Sequence, residues 1–276
     1  MNVTGLYRYP VKSCRGERLG AAEVEPWGLA GDRRWMLVDE DGTVVTAREY
    51  PSLVLVTPTA DHGKKEIRFS TPGLPELAVS FPEADGNLVP VNVWNSHLVA
   101  ALADAASAEW FTKITGRPTR LVYLDDPTRR LVNPEHSRGT DRVSFADGYP
   151  LLLTSEASLA QLNDWILEGP RSEEAPVAMT RFRPSAVIDG AAPWAEDSWH
   201  RIRIGDVSFR VAKACDRCVF TTIDPDTAEK GREPLVTLAR HRRWDGKIWF
   251  GMNLIPDLAP GAPGTLRAGD RVEVLD

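Results

Sequence analysis

Long hydrophobic runs are missing from this 276-residue sequence, and no apolar stretch approaches the roughly 20 residues that a helix needs to cross a bilayer. The opening residues, Met1-Asn2-Val3-Thr4-Gly5-Leu6-Tyr7, carry neither a basic region nor an apolar core of the kind a secretory leader needs. Cysteine is scarce. Three residues, Cys14, Cys215 and Cys218, are too few and of the wrong parity for a disulfide framework, so the expected address is the cytoplasm. An excess of positive charge is absent too: 33 Lys and Arg against 39 Asp and Glu leave a net charge of −6. That balance speaks against a nucleic-acid partner and against a membrane surface. No Walker-type loop and no G-x-G-x-x-G turn occurs, which weakens a nucleoside triphosphate or dinucleotide reading.

What is present is ordinary globular material, 42% apolar and 26% charged, enough for one large domain or two ordinary ones. The 21 Gly and 21 Pro signal many turns and short elements. Trp35-Met36-Leu37-Val38 and Thr43-Val44-Val45-Thr46 flank Asp41-Gly42, a hairpin signal because glycine accepts positive φ without a Cβ clash. Short strands are also predicted at Leu53-Val54-Leu55-Val56, Ile67-Arg68-Phe69, Leu77-Ala78-Val79 and Val91-Asn92-Val93-Trp94. One helix is predicted from Ser96, with Leu98, Leu102, Ala105, Ala108, Phe111 and Ile114 on one stripe, ending at Gly116. A second is predicted to open at Thr154-Ser155 and to end at Gly169-Pro170. Residues 125–148, polar and rich in Pro, Arg and Asp, read as an inter-domain linker or a long functional loop. Strands return after Arg183, at 186–188, 201–204, 207–211, 219–223 and 271–275. The fold class is therefore α+β, predominantly β, in two β-rich, barrel-like parts with a few packed helices.

The sharpest chemical feature is Cys215-Asp216-Arg217-Cys218. A zinc knuckle would need four ligands, and Cys14 and the five scattered histidines do not supply a second pair at similar spacing. A thioredoxin-type dithiol would sit at a helix N-terminus, whereas the β-branched run after Cys218 predicts a strand. Two half-buried cysteines acting as small apolar residues, or a metal ligand, stay open. Basic residues gather beside turn signals: Lys12 with Ser13, Arg33, Arg48 and Arg183. Each suits phosphate or carboxylate recognition, and each alone is equally at home on a solvated surface. Thr154-Ser155 reads as an N-cap whose neighbouring free N–H groups also suit an anion.

Six segments occur together in one order: Tyr9-Pro10-Val11-Lys12-Ser13-Cys14, Gly31-Asp32-Arg33, Thr46-Ala47-Arg48, Leu153-Thr154-Ser155, Phe182-Arg183-Pro184 and Cys215-Asp216-Arg217-Cys218. In these the chain resembles the MOSC-domain proteins with an N-terminal β-barrel partner, the group of the mitochondrial amidoxime reducing component and its bacterial relatives. The resemblance implies an N-terminal barrel domain at 1–120 and a MOSC domain at 121–276. It also implies a molybdenum cofactor, a molybdopterin carrying Mo, between them. Cys218 matches the metal-ligating, catalytic cysteine. Lys12, Ser13, Arg33, Arg48, Thr154, Ser155, Arg183 and Arg217 match or neighbour the positions that hold the cofactor, and Cys215 falls outside the ligand role. Ser185 stands where relatives commonly carry Asn, and Asp224 and Asp226 follow the cysteine closely enough to be considered as acids. The implied activity is reduction of N-hydroxylated small molecules by oxygen-atom transfer. With no spare cysteines for an iron–sulfur cluster, electrons are expected from a separate donor protein of flavin, haem or iron–sulfur type. The alternative is a cofactor or sulfur carrier like the C-terminal part of the cofactor sulfurases, without reductase activity.

Overall fold

Gly42 takes φ 81° in the turn after Asp41, and the strands Trp35–Val38 and Val44–Val45 close around it with Leu37 opposite Val45. The computed structural model describes residues 1–83, 86–258 and 263–276. Its elements are mostly strands, with α-helices α1 (Ala105–Thr115), α2 (Glu156–Leu167) and α3 (Leu235–His241). The protein is α+β with β predominant.

The Trp35 hairpin belongs to a five-stranded sheet ordered Leu88–Val93, Ser96–Leu102, Arg120–Tyr123, Trp35–Val38, Val44–Val45. Ser96–Leu102 is a strand, which corrects the helix expected from Ser96. Leu98 and Leu102 satisfy period two as well as helical spacing, and Ala100 between them fits only the strand. The turn at Trp94-Asn95 decides between them by setting Val93 against Ser96. Helix α1 starts instead after Asp104, whose carboxylate accepts from the Ser107 N–H at 2.8 Å, and it ends at Gly116 with φ 73°. Two other predicted strands are single 3₁₀ turns. Pro51 opens one at Pro51–Leu55, and Val219–Thr222 forms the other directly after Cys218.

The largest sheet runs Glu17–Leu19, Val3–Arg8, Ala186–Ile188, Leu151–Ser155, Lys247–Asp257, Val207–Asp216, Arg201–Ile204, Val272–Val274. Its first two strands come from the N-terminus and the others from beyond residue 150, and the chain leaves this sheet after Arg8, returns to it at Glu17–Leu19 and reaches the five-stranded sheet at Trp35. The crossing is stapled by backbone. Lys12 N–H donates to the Trp35 carbonyl at 2.9 Å, and Arg33 N–H to the Tyr9 carbonyl at 2.7 Å. Beneath it, Trp35, Phe69, Phe111, Val11 and Cys14 share one buried cluster, in which each fully buried large side chain contributes about 1.5–3 kcal/mol. Lys12, Ser13 and Arg33 are thus fixed at the seam between the two sheets.

Candidate functional site

Three residues without a glycine's freedom adopt left-handed backbone at this seam: Ser13 at φ 72°, Arg33 at φ 46° and Arg183 at φ 54°. Such conformations cost about 1–3 kcal/mol each and collect at functional sites. All three line one cavity of about 790 Å³. Eight basic side chains border it: Lys12, Arg33, Arg48, Arg130, Arg183, Lys213, Arg217 and Lys247. Only Asp147 and Asp216 oppose them. In a chain whose net charge is −6, that concentration gives the cavity a positive field that suits an anion.

The cations are held in different ways. Arg33 donates to Asp32 Oδ2 at 2.5 Å and to the Arg183 carbonyl at 3.3 Å, and its guanidinium lies 4.5 Å from the Tyr9 ring centroid. Burial works against the Arg33 charge, but Asp32 outweighs it and keeps the pKa above the ordinary value. The Arg183 guanidinium lies over the same ring, 4.0 Å from the Tyr9 centroid, and donates through Nη1 to the Cys14 carbonyl at 2.5 Å. Its Nη2 has no hydrogen-bond partner. Burial, reinforced by Arg33, pushes Arg183 down to about 10. An unpaired nitrogen on a crowded, partly desolvated guanidinium is what an incoming anion satisfies.

Lys12 Nζ donates to the Phe145 carbonyl at 2.9 Å and pairs with Asp147. Burial lowers its pKa to about 8, with Arg130 and Arg33 adding to the effect and Asp147 opposing it. Asp147 itself keeps 68% of its side-chain surface open, and that opening faces the cavity. Burial works to raise its pKa, but Lys12 and Arg48 outweigh this and hold it well below the usual carboxylate range. A pH dependence follows. Lys12 is charged below about pH 8, so anion affinity is highest there and falls as pH rises through that value. An anion bound near pH 8 raises the Lys12 pKa and draws a proton in. Calorimetric titration with sulfate in buffers of different ionisation enthalpy reads that uptake, and Lys12→Met removes it. A flat affinity between about pH 7 and about pH 9 would refute the assignment. For stability the sign reverses: the unfolded chain keeps this proton up to 10.5, so the group favours folding increasingly as pH climbs from about 8.

The cysteine pair sits at a strand end. The ladder of Val207–Asp216 with Lys247–Asp257 slips between Ala214 and Asp216, a bulge that re-aims Cys215. Arg217 donates through Nη1 to Cys215 Sγ at 2.9 Å and through Nη2 to the Phe182 carbonyl at 2.6 Å, and its Nε has no partner. The guanidinium therefore engages Cys215. Cys218 is half-buried, lines the cavity, and precedes the 3₁₀ turn with extended backbone and no side-chain capping bond.

Thr154 and Ser155 do not line the cavity. They end the strand Leu151–Ser155, fully buried and paired in parallel with Ala186–Ile188, and α2 starts one residue later. Ser155 is the N-cap residue of α2, as the sequence suggests, but its hydroxyl makes no capping bond, and neither hydroxyl has a partner. Ser185 is also buried, its Oγ accepting from the Leu152 N–H at 3.2 Å. Asp224 pairs with Arg181 and Asp226 with Arg15, both away from the cavity lining. Several lining residues escaped the sequence reading, Lys213 and Lys247 on the paired strands of the large sheet among them. Arg130 and Asp147 lie in the polar segment 125–148, which was the available signal, and Trp94 lies in a turn that composition does not mark.

Among the described residues no cluster of three or more His, Cys, Asp or Glu is arranged to hold a metal ion. One thiolate at a cation-rich wall instead suits a metal that arrives with donors of its own on an anionic carrier. The unpartnered Arg183 Nη2 and Arg217 Nε fit such a carrier.

Residues 1–118 match the MOSC N-terminal beta barrel domain, and residues 140–273 match the MOSC domain. The chain is 35% identical to mitochondrial amidoxime-reducing component 1 of Homo sapiens, over 99% of this chain and 82% of that protein. It is 34% identical to mitochondrial amidoxime reducing component 2 of Bos taurus, over 88% and 73%. It is also 32% identical to the molybdenum cofactor sulfurase of Oryza sativa subsp. japonica, over 92% of this chain but 32% of that protein.

Proposed function

The chain belongs to the MOSC-domain family that includes the mitochondrial amidoxime-reducing components, and on that footing we propose that it is a molybdenum-cofactor-dependent reductase of N-hydroxylated compounds. The observation that carries this reading is the cation-lined cavity with Cys218 on its wall and an unpaired guanidinium nitrogen on Arg183. Cys218 would ligate the metal as a soft thiolate. Arg183 and Arg33, stacked on Tyr9, would hold the pterin phosphate, with Lys12, Ser13, Arg48 and Arg217 completing the anion cradle. Bound there, the cofactor supplies the two-electron redox centre for N–O reduction. The overall conversion consumes two electrons and two protons and releases the reduced nitrogen compound and water. Electrons come from a separate donor protein. The chain's own residues do the rest: they fix the anion, keep the cavity's positive field, and leave Asp147 as an ionised acceptor facing the substrate space.

The test is metal and pterin analysis of protein made in a cofactor-producing host, followed by benzamidoxime turnover with a chemically reduced dye as donor. Molybdenum with turnover is the expected result. Molybdenum without turnover would favour a carrier, a reading motivated by the alignment of 92% of the chain with the rice sulfurase. Absence of both metal and pterin would overturn either.

A further inference from the structure

Trp94 stands at the tip of the hairpin formed by Leu88–Val93 and Ser96–Leu102, lines the cavity and keeps 40% of its surface exposed. Its backbone is left-handed, φ 53°, a conformation in which a bulky side chain is a genuine outlier and Asn or Gly the ordinary choice. The strain is held from several sides. Trp94 Nε1 donates to Asp147 Oδ1 at 3.2 Å, across the seam between the sheets. Arg48 lies 4.4 Å and Lys12 5.3 Å from the ring centroid. The next residue but one, Ser96, accepts from Arg130 Nε at 3.3 Å, which ties the hairpin to segment 125–148. A tip residue that serves only to turn the chain needs none of these anchors.

We infer that Trp94 is a specificity residue: its indole is a fixed platform on which the cavity seats a planar, aromatic N-hydroxylated substrate in preference to a small aliphatic one. This rests on the reductase reading. The inner wall, where Lys12 and Arg33 keep only 7% and 12% of their side chains exposed, is committed to the anion, whereas Arg48 at 33% and Trp94 at 40% form the outer rim. A rim with a part-exposed indole next to an ionised carboxylate matches a flat ring bearing N–H donors. Offset stacking serves the ring, and Asp147 accepts from the N–H edge. Because Nε1 is pinned and cations already lie against the ring, the indole loses little freedom when it binds.

Two measurements separate this from the reductase reading. The first is benzamidoxime binding to the metal-free full chain by titration calorimetry. Trp94→Leu is expected to weaken it by about five- to tenfold, and Trp94→Phe by less than about threefold, at unchanged melting temperature. The second is kinetics of the loaded enzyme. Trp94→Leu raises KM for benzamidoxime by a similar factor while leaving kcat, and both constants for acetamidoxime, near the unsubstituted values. Equal binding of benzamidoxime by the unsubstituted and Trp94→Leu chains, or an equal loss for both substrates, overturns the inference. Trp94-dependent binding in a chain that shows no turnover overturns the reductase reading and leaves the platform standing.

Discussion

Replacing Cys218 with alanine is expected to give a folded, stable chain that retains no molybdenum and reduces no benzamidoxime. The fold survives because the side chain does little structural work. Cys218 is half-buried, its backbone is extended, and it makes no capping bond to the 3₁₀ turn that follows. Losing one sulfur there costs about 0.5 kcal/mol or less. A bound metal, by contrast, would find no group of three or more His, Cys, Asp or Glu among the described residues to hold it in place of Cys218. Cys215→Ala is the matched control. Its sulfur accepts from Arg217 and sits at a strand bulge, so its loss frees a guanidinium but leaves the wall thiol in place. Metal analysis and activity of the two variants, side by side, decide the matter. Retention of molybdenum by Cys218→Ala together with its loss from Cys215→Ala would reverse the assignment.

The sequence made the ends of this argument legible and blurred its middle. Asp41-Gly42 announced its hairpin because a positive φ leaves glycine few rivals, and Lys12, Ser13, Arg33, Arg48, Arg183, Arg217 and Cys218 all come to one cavity. Where a segment satisfied two periods, local pattern could not choose. Leu98 and Leu102 fit a helix and a strand alike, and only the turn at Trp94 settles the strand. Val219–Thr222 is β-branched yet forms a 3₁₀ turn, because the strand before it ends at Asp216 and the chain must leave the sheet. Thr154 and Ser155 were legible as a helix start, and Ser155 is the N-cap residue of α2. The parallel pairing with Ala186–Ile188, formed by residues more than thirty positions away, buries both, so neither hydroxyl caps the helix or reaches the cavity. Arg130, Asp147 and Trp94 reach the site from loops whose course is set by such distant contacts, and no short motif marks them.

Arg183→Met is expected to weaken cofactor binding by about 10- to 150-fold while leaving the empty protein close to its original stability. In the empty chain the guanidinium both helps and hinders. It stacks on Tyr9 and donates to the Cys14 carbonyl, together worth about 1–3 kcal/mol. Against this stands the burial of a charge beside Arg33, which pushes the Arg183 pKa down to about 10. Below that pH the residue is charged in both folded and unfolded chains, so the burden does not vary with pH, and methionine relieves it while still covering the Tyr9 ring. The two contributions offset within about 2 kcal/mol, so the melting temperature of the metal-free protein moves only by about a few degrees. Binding has no such offset. A charge-assisted hydrogen bond to an anion is worth about 1.5–3 kcal/mol, so sulfate or cofactor affinity falls by about 10- to 150-fold. The gap in melting temperature between loaded and empty protein shrinks accordingly, and thermal melts with and without ligand measure it. Arg183→Lys sharpens the test. Arginine gives Nη1 to the Cys14 carbonyl and still has Nη2 without a partner, whereas a single ammonium must choose between them. Lysine therefore restores the charge but only part of the affinity, and full rescue by lysine would show that the cavity needs a positive charge rather than the arginine fork.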